Sequence, residues 1–276
     1  MPTLFSRDIQ VAVLSSGSRG NCTYVGDGSA GVLIDCGLST KRILLRMEEI
    51  GLADAPIDAV VVTHEHSDHA GSCRVLCKRL EKLRGRPVPF YMTQGTRDAL
   101  KESMIPKHLE LAVAGQSFRV GHLVVDPFRV PHDVADPVAY RIGLGERWVG
   151  VVTDLGRPTT LVSEKLRTLS IAVLEFNHDL EMLLDGPYAW PVKQRIRSSH
   201  GHLSNAQAGE LLSESVGDAL EHLVLAHLSD ENNHPDKALR CAVQALHAAG
   251  ADDRVTVHVA RQDSALPPLR VGVDTW

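Results

Sequence analysis

Residues 60–71 read Val60-Val61-Val62-Thr63-His64-Glu65-His66-Ser67-Asp68-His69-Ala70-Gly71, a run of valines that ends in three imidazoles and the carboxylate of Asp68. The apolar run begins at Ile57 and is broken only by Asp58, so it reads as a strand buried on both faces; a helix starts after the histidines. Desolvating so many titratable groups together is costly unless they share a strong partner, and a divalent cation is the partner that imidazole and carboxylate have in common. His64 and His66, two apart on extended backbone, can face one ion, while Asp68 and His69, displaced along the turn, can face a second. A histidine-rich turn that merely caps a strand would account for one such residue but not for this density.

The 276 residues around this stretch, 43% of them hydrophobic, suffice for one large α/β domain or two small ones. No internal repeat or low-complexity linker divides them, and a single domain over residues 1–276 is expected. Residues 1–10 lack a basic start followed by an apolar run, and no segment reaches the roughly 18 apolar residues of a membrane helix. The expectation is a soluble, cytoplasmic protein with no membrane contact. Five cysteines, Cys22, Cys36, Cys73, Cys77 and Cys241, contain no Cys-x-x-Cys pair and read as reduced thiols, not as a disulfide framework or a thiolate zinc site. A net charge of -5 excludes a global positive field drawing the chain to nucleic acid, so any such contact must be local.

Upstream of the histidines, residues 10–14, 22–25 and 31–34 read as strands. Residues 39–50 form an amphipathic helix with Ser39 as N-cap, Ile43, Leu44, Met47 and Ile50 on one face, and Gly51 as its stop. The loop Ser15-Ser16-Gly17-Ser18-Arg19-Gly20-Asn21 is either a solvent hairpin or a tight turn whose amides converge on an anion, with Ser16, Ser18 and Asn21 as candidate substrate contacts. Asp35, just past the third strand, is a candidate to orient a ligand histidine. Downstream, residues 70–83 are expected as one helix with Val75, Leu76, Leu80 and Leu83 at helical spacing, and Cys73 and Cys77 sharing a packed face. Its Arg74, Lys78, Lys82 and Arg84 form a basic side that is either solvated or set against a phosphate backbone. Residues 88–91 read as a short strand, 96–101 as a helix, and 109–113 and 117–120 as extended pieces.

Further strands end as the first does. Residues 121–130 lead to Pro131-His132-Asp133, the hairpin of 138–143 and 148–152 ends at Thr153-Asp154, and 220–226 ends at His227-Leu228-Ser229. Each residue alone could be a cap or a surface group; together they line one sheet edge with ligand types, where open α/β sheets put their sites. Residues 235–249 form a helix opened by Pro235, and 254–259 a last strand. The remaining histidines, apart from His178 and His202, follow no such pattern.

Thr63-His64-Glu65-His66-Ser67-Asp68-His69 resembles the signature motif of the metallo-β-lactamase superfamily. The resemblance implies an α/β fold, a four-layer αββα sandwich, with a metal site at one edge. It also implies two divalent metal ions, with His64, His66 and His132 on one, Asp68, His69 and His227 on the other, and Asp154 bridging them. These ligands accept zinc, manganese and iron, and zinc is the first expectation. The substrate is left open by the fold.

Residues 175–205 contain Glu175-Phe176-Asn177-His178-Asp179, Lys193-Gln194-Arg195-Ile196-Arg197 and Gly201-His202-Leu203-Ser204-Asn205, and end at a helix start where Ser204 and Gln207 form a capping box. A helix N-terminus beside a histidine and three basic residues suits a phosphate, which makes Lys193, Arg195, Ser204 and Asn205 candidate substrate contacts. His178 and His202 are candidates to protonate a leaving oxygen or to hold a phosphate oxygen, and His178 is also a candidate extra ligand; either is equally a hydrogen-bonded loop histidine. Asp68 is a candidate to orient the attacking water. With the 15–21 loop, Leu33-Ile34-Asp35-Cys36-Gly37-Leu38-Ser39, and Ala226-His227-Leu228-Ser229 before Asn232-Asn233, this segment is similar to the YycJ/WalJ branch of the superfamily over residues 10–260. It departs from the branch at Phe176, Trp190 and the 266–276 tail, and it lacks the long insertion of the β-CASP relatives. The resemblance implies a DNA-processing nuclease, specifically a 5′-to-3′ exonuclease using a water activated between the ions. The alternative is a small-molecule hydrolase opening a β-lactam or lactone ring, which needs the same metals but an apolar pocket. A metal-dependent binding module would lack ligands, and none is missing.

Overall fold

Successive side chains of a strand point to opposite faces, so a strand buried on both sides feeds two different cores. The computed structural model describes residues 8–272. Its first half contains β1 (Asp8–Ser15), β2 (Cys22–Gly26), β3 (Gly31–Ile34), α1 (Thr40–Glu49), β4 (Ala59–Val61), α2 (Ser67–Ala70), α3 (Cys73–Arg84), β5 (Phe90–Met92), α4 (Gln94–Ala99) and β6 (Leu109–Leu111). The second half continues with β7 (Phe118–Val120), β8 (Leu123–Arg129), β9 (Val138–Leu144), β10 (Arg147–Val152), α5 (Thr160–Leu166), β11 (Ile171–Glu175) and α6 (Leu180–Asp185). It closes with α7 (Trp190–Ile196), α8 (Asn205–Ser215), β12 (His222–Ala226), α9 (Pro235–Ala248), β13 (Thr256–Val259) and β14 (Leu269–Gly272). Residues 1–7, where no leader is expected, and 273–276 of the tail lie outside the described residues.

Two seven-stranded sheets result, ordered β14-β1-β2-β3-β4-β5-β6 and β13-β12-β11-β10-β9-β8-β7. Ile9, Val11, Val13, Ala59 and Val61 of the first sheet meet Tyr140, Val173 and Val224 of the second in the core between them. The alternate residues Ala12, Leu14, Val60 and Val62 pack with Ile43, Met47 and Leu76 of α1 and α3. On the other side Ala172, Leu174, Leu223 and Leu225 pack with Val162, Leu211 and Ala242 of α5, α8 and α9. These are the four layers of the expected αββα sandwich.

Each sheet changes midway from antiparallel to parallel pairing: β3 to β6 are parallel in the first and β10 to β13 in the second. Parallel neighbours end at the same edge, so the residues after β3, β4, β10, β11 and β12 are delivered together.

The expected helix over 70–83 is interrupted. The Ser72 N–H bonds the Cys36 carbonyl at 3.0 Å and its hydroxyl donates to the Leu38 carbonyl, which pulls the chain toward the loop after β3 and separates α2 from α3. The packed seam of α3 is Cys73, Leu76, Cys77 and Leu80; Val75 is 62% and Leu83 50% exposed, so their helical spacing does not mark the buried face. All five cysteines are unlinked. Strand β11 and helices α5 to α7 have no counterpart in the sequence reading, and the tail supplies β14, antiparallel to β1. No helix among the described residues is long and apolar enough to cross a membrane.

Candidate metal centre

Asp35 after β3, Asp154 after β10 and His227 after β12 are the non-glycine residues with positive φ among those described, at 62°, 58° and 55°. That conformation costs about 1–2 kcal/mol per residue, and its recurrence at one sheet edge marks where the backbone is bent to aim side chains inward. His64, His66 and His132 bring ligand atoms within 4.8 Å of one another, as do Asp68, His69 and His227. His64 Nε2 lies 3.0 Å from His66 Nδ1. Asp154 stands between the groups: its Oδ1 is 3.7 Å from His132 Nε2 and 3.6 Å from His227 Nε2, and its Oδ2 is 3.3 Å from His69 Nε2.

The donors fit a divalent metal. His132 Nε2, His227 Nε2 and Asp154 Oδ2 are buried without a hydrogen-bond partner. Each such atom costs about 1–3 kcal/mol, and imidazole nitrogens facing a carboxylate have a cation as their common partner. Burial, reinforced by His69, holds His64 well below its ordinary pKa, and burial also lowers His132, so both keep free lone pairs. Burial opposes charge on His69 and His227 too, but Asp154 and Asp35 raise His69 well above the ordinary value, and Asp154 and Asp68 raise His227 to about 9. Burial likewise opposes charge on Asp154, which His227 and His69 nevertheless hold well below the carboxylate range. The carboxylates thus favour positive charge at His69 and His227, the charge that a bound cation would supply.

The ligands are braced from behind. Asp35 accepts from His69 Nδ1 at 2.8 Å and from the Thr63 amide at 2.8 Å, so His69 turns Nε2 to the centre, the orienting role expected of Asp35. His132 donates Nδ1–H to the Gly201 carbonyl at 3.1 Å. Glu175, which the sequence reading leaves unassigned, is fully buried at the end of β11. It accepts from the Leu155 and Leu203 amides at 3.0 and 3.1 Å and from His202 Nδ1 at 2.8 Å, and lies 3.4 Å from His227 Nδ1. Asp154, Glu175, His202 and His227 form a further constellation of ligand types. Backbone amides already occupy the Glu175 oxygens, however, and Glu175 meets His202 at Nδ1, so it orients that ring and does not compete for metal, while the hydrogen-bond partner of His227 Nδ1 is Asn177 Nδ2 at 3.1 Å. The available signal was the run Ile171-Ala172-Val173-Leu174-Glu175, another buried strand ending in a carboxylate.

A cleft of about 310 Å³ lies over the ligands, with Ser18, Asp133, Val192, Arg195, Ile196 and His202 on its walls. Of the residues expected at the rim, Ser18, Arg195 and His202 reach it. The others have different tasks. Lys193 is 8% exposed and donates Nζ–H to the Leu184 carbonyl at 2.6 Å, because it lies on the packed side of α7. Ser204 is spent on the capping box with Gln207, and Asn205 pairs with Asn233 through bonds of 2.8 and 3.0 Å. The Ser16 hydroxyl accepts the His227 amide at 2.7 Å and so positions a ligand. Asn21 accepts the Gly17 amide at 2.9 Å and sets its own amide nitrogen 3.0 Å from His69 Nε2. The loop itself is no anion nest: the amides of Ser16, Gly20 and Asn21 go to carbonyls of Arg261, Gly17 and Asp68, and that of Arg19 to the Gln262 side chain. His178 is 1% exposed, bridged to Ser204, and outside both the cleft and the ligand groups, a position that suits neither an extra ligand nor a proton donor.

Residues 31–228 match the β-lactamase superfamily domain. A metal-type centre at one edge of an αββα sandwich and this match together place the chain in that superfamily. Within it, the chain belongs to the family of the exodeoxyribonucleases YycJ and WalJ. It is 33% identical over 247 residues to exodeoxyribonuclease YycJ of Bacillus anthracis, covering 88% of this chain and 90% of that one. It is 31% identical over 265 residues to exodeoxyribonuclease WalJ of Streptococcus pneumoniae, covering 93% and 96%. The fold is shared with YhfI of Bacillus subtilis, a metallo-β-lactamase fold protein, at a TM-score of 0.69 and 18% identity over 94% of this chain and 99% of that one.

Proposed function

We propose that this protein hydrolyses phosphodiester bonds of DNA as a two-metal exonuclease working from the 5′ end, in the cytoplasm, with zinc as its ion. The observation that carries the reading is a floor of seven His and Asp candidate ligands, five buried and two half-buried, under a rim that presents Arg195 and His202 to the same cleft. The two relatives, both exodeoxyribonucleases by name, support it. His64, His66 and His132 would hold one ion and Asp68, His69 and His227 the other, with Asp154 between them. Bound there, the ions supply Lewis acidity, which lowers the pKa of a water and offsets the charge growing on the phosphate.

The side chains do the remainder. Arg195, now bonded to Asp133 through Nη2 at 3.2 Å, offers a phosphate two donors once it exchanges that carboxylate for the substrate. Glu175 takes the Nδ1–H of His202, so Nε2 is the nitrogen left to give a proton to the leaving oxygen. Asp68, half-buried and kept ionised by His227 and His69 against the effect of burial, faces the cleft as the acceptor that orients the attacking water. A β-lactam or lactone hydrolase is not favoured, because the wall opposite the ligands carries an arginine and a histidine.

The test is nucleotide release from a DNA strand labelled at either end and phosphorylated at the 5′ end, with zinc or manganese supplied. Release from the 5′ end, abolished by chelation, is expected. His202→Ala should slow it by about 10²- to 10⁴-fold with metal content unchanged. A metal-loaded protein that leaves DNA intact while opening a β-lactam ring overturns the reading.

A further inference from the structure

α1 and α3 lie side by side on the outer face of the first sheet, and between them the surface opens into a groove of about 560 Å³ that shares no residue with the metal cleft. Leu44, Leu45 and Val75 line it, with Leu45 45% and Val75 62% exposed. Past Arg79 it continues into a hollow of about 370 Å³ that reaches Leu83, itself 50% exposed. Single exposed aliphatics are ordinary on protein surfaces, but a continuous trough of them marks a place of contact. Nor are these side chains needed to hold the helices down. The seams that seat them on the sheet are Ile43 and Met47 on α1 and Leu76 and Leu80 on α3, all buried.

The rim of this trough carries one carboxylate, Glu48, and is otherwise basic, in a chain whose net charge is -5. Lys41 and Arg79 stand on its two sides, and α3 also carries Lys78 and Lys82 outside its lining. All four are exposed, and none is in an ion pair among the described residues, whereas neighbouring Glu81 is taken by Lys107. Cations over an aliphatic floor select their occupant. A nucleic-acid strand would bring phosphates but no aliphatic ridge, and proteins that grip strands stack the bases on aromatic rings, which the groove lacks. A bilayer surface takes a protruding apolar ridge, not a trough.

We propose that the α1–α3 groove docks an acidic amphipathic helix of a partner protein. Its aliphatic side chains at i, i+3, i+4 and i+7 settle on Leu45, Val75 and Leu83, and its carboxylates face Lys41 and Arg79. The surface is independent of the hydrolytic centre, so this docking stands or falls separately from the nuclease reading.

The probe is a fluorescein-labelled helical peptide with leucine at i, i+3, i+4 and i+7 and glutamate beside them, titrated with the full chain and followed by fluorescence anisotropy. Saturable binding that weakens as salt rises is expected. The double variant Lys41→Glu/Arg79→Glu should weaken it about tenfold or more, and Val75→Asp about tenfold, with circular dichroism and melting temperature unchanged. Val75→Ala, which removes the contact without adding a charge, should weaken it a few-fold and covers the case in which the aspartate disturbs α3. Several results overturn the proposal: no saturation, equal binding of the peptide with lysine in place of glutamate, or undiminished binding by the variants. It is overturned too if the peptide fails to bind while the same substitutions abolish binding to duplex DNA, to phosphatidylglycerol vesicles or to a second copy of the chain in sedimentation.

Discussion

The floor and the rim of the cleft are built on opposite terms. On the floor, the candidate ligands sit at the ends of buried strands or on the turn into α2, and the rings of His69, His132 and His227 are held from behind by Asp35, the Gly201 carbonyl and Asn177. On the rim, Ser18, Arg195 and His202 do the facing, and the Arg195 side chain is 60% exposed and tied to Asp133 alone. On the proposed reading, chemistry that tolerates no displacement would be carried by the rigid layers, and substrate recognition left to α7 and loops, which can vary without disturbing the ligands.

The floor is most open to disproof at Asp154, which touches both ligand groups. Asp154→Asn keeps its shape but removes the charge that holds His69 and His227. Cleavage should fall by about a thousandfold or more, and elemental analysis should show metal content dropping from two ions per chain toward one. A variant with both metals and full activity would make Asp154 dispensable and the floor no more constrained than the rim.

The next effect lies just behind the rim, at His178. Burial pushes its pKa down from the ordinary 6.5 to about 4. Between those values the unfolded chain binds a proton that the folded chain refuses. The His178 contribution to stability is therefore complete above about pH 6.5 and is lost as pH falls toward 4, by roughly 3 kcal/mol. His178→Gln should flatten the decline of urea-unfolding free energy over that interval relative to the wild type. An unchanged decline would mean that His178 takes up its proton in the folded state, as a residue facing the cleft would.

This contrast also decides how much could be read from the sequence. The His and Asp cluster was legible because a metal site would force rare residue types into a short spacing, and because His132, Asp154 and His227 each follow a strand of recognisable alternation. The layers were legible in part for the same reason; β14 and α5 to α7 were not read, nor was β11, whose few apolar residues resemble a buried helix segment as much as a strand. With β11 unread, Glu175 had no strand end to sit on. Rim residues were illegible because a cationic or hydroxyl side chain near a helix start fits a phosphate, a cap or a buried carbonyl equally well. Ser204 went to the cap and Lys193 to the Leu184 carbonyl, and only packing decides such choices. Val75 and Leu83 show the converse error, since apolar residues at helical spacing promised burial and of the four only Leu76 and Leu80 lie on the packed seam, with Cys73 and Cys77.

Glu175→Gln probes the join between floor and rim, since the carboxylate serves His202 above and lies close to His227 below. Loss of its charge while the shape is kept should reduce cleavage or metal affinity by about 10- to 100-fold, less than for Asp154. Metal titration followed by single-turnover cleavage separates the two contributions. No change in either would leave Glu175 as a mere acceptor for backbone amides.

The smallest effect, and the most discriminating, is expected from two cations two residues apart on α7. Arg195 is on the cleft wall, so Arg195→Ala should remove one phosphate contact: DNA affinity falls a few-fold and the slope of log affinity against log salt becomes shallower by about one. Lys193 shares the helix but donates to the Leu184 carbonyl and is not on the cleft wall. Lys193→Met should therefore leave the salt slope unchanged and instead lower folding stability by about 1–3 kcal/mol, because the carbonyl it satisfied loses its donor. DNA binding by anisotropy at several salt concentrations, with urea unfolding of both variants, reads the two outcomes side by side. If Lys193→Met flattened the salt slope as much as Arg195→Ala does, Lys193 would be facing the substrate, and the division between a sparse rim and its buried support would be lost.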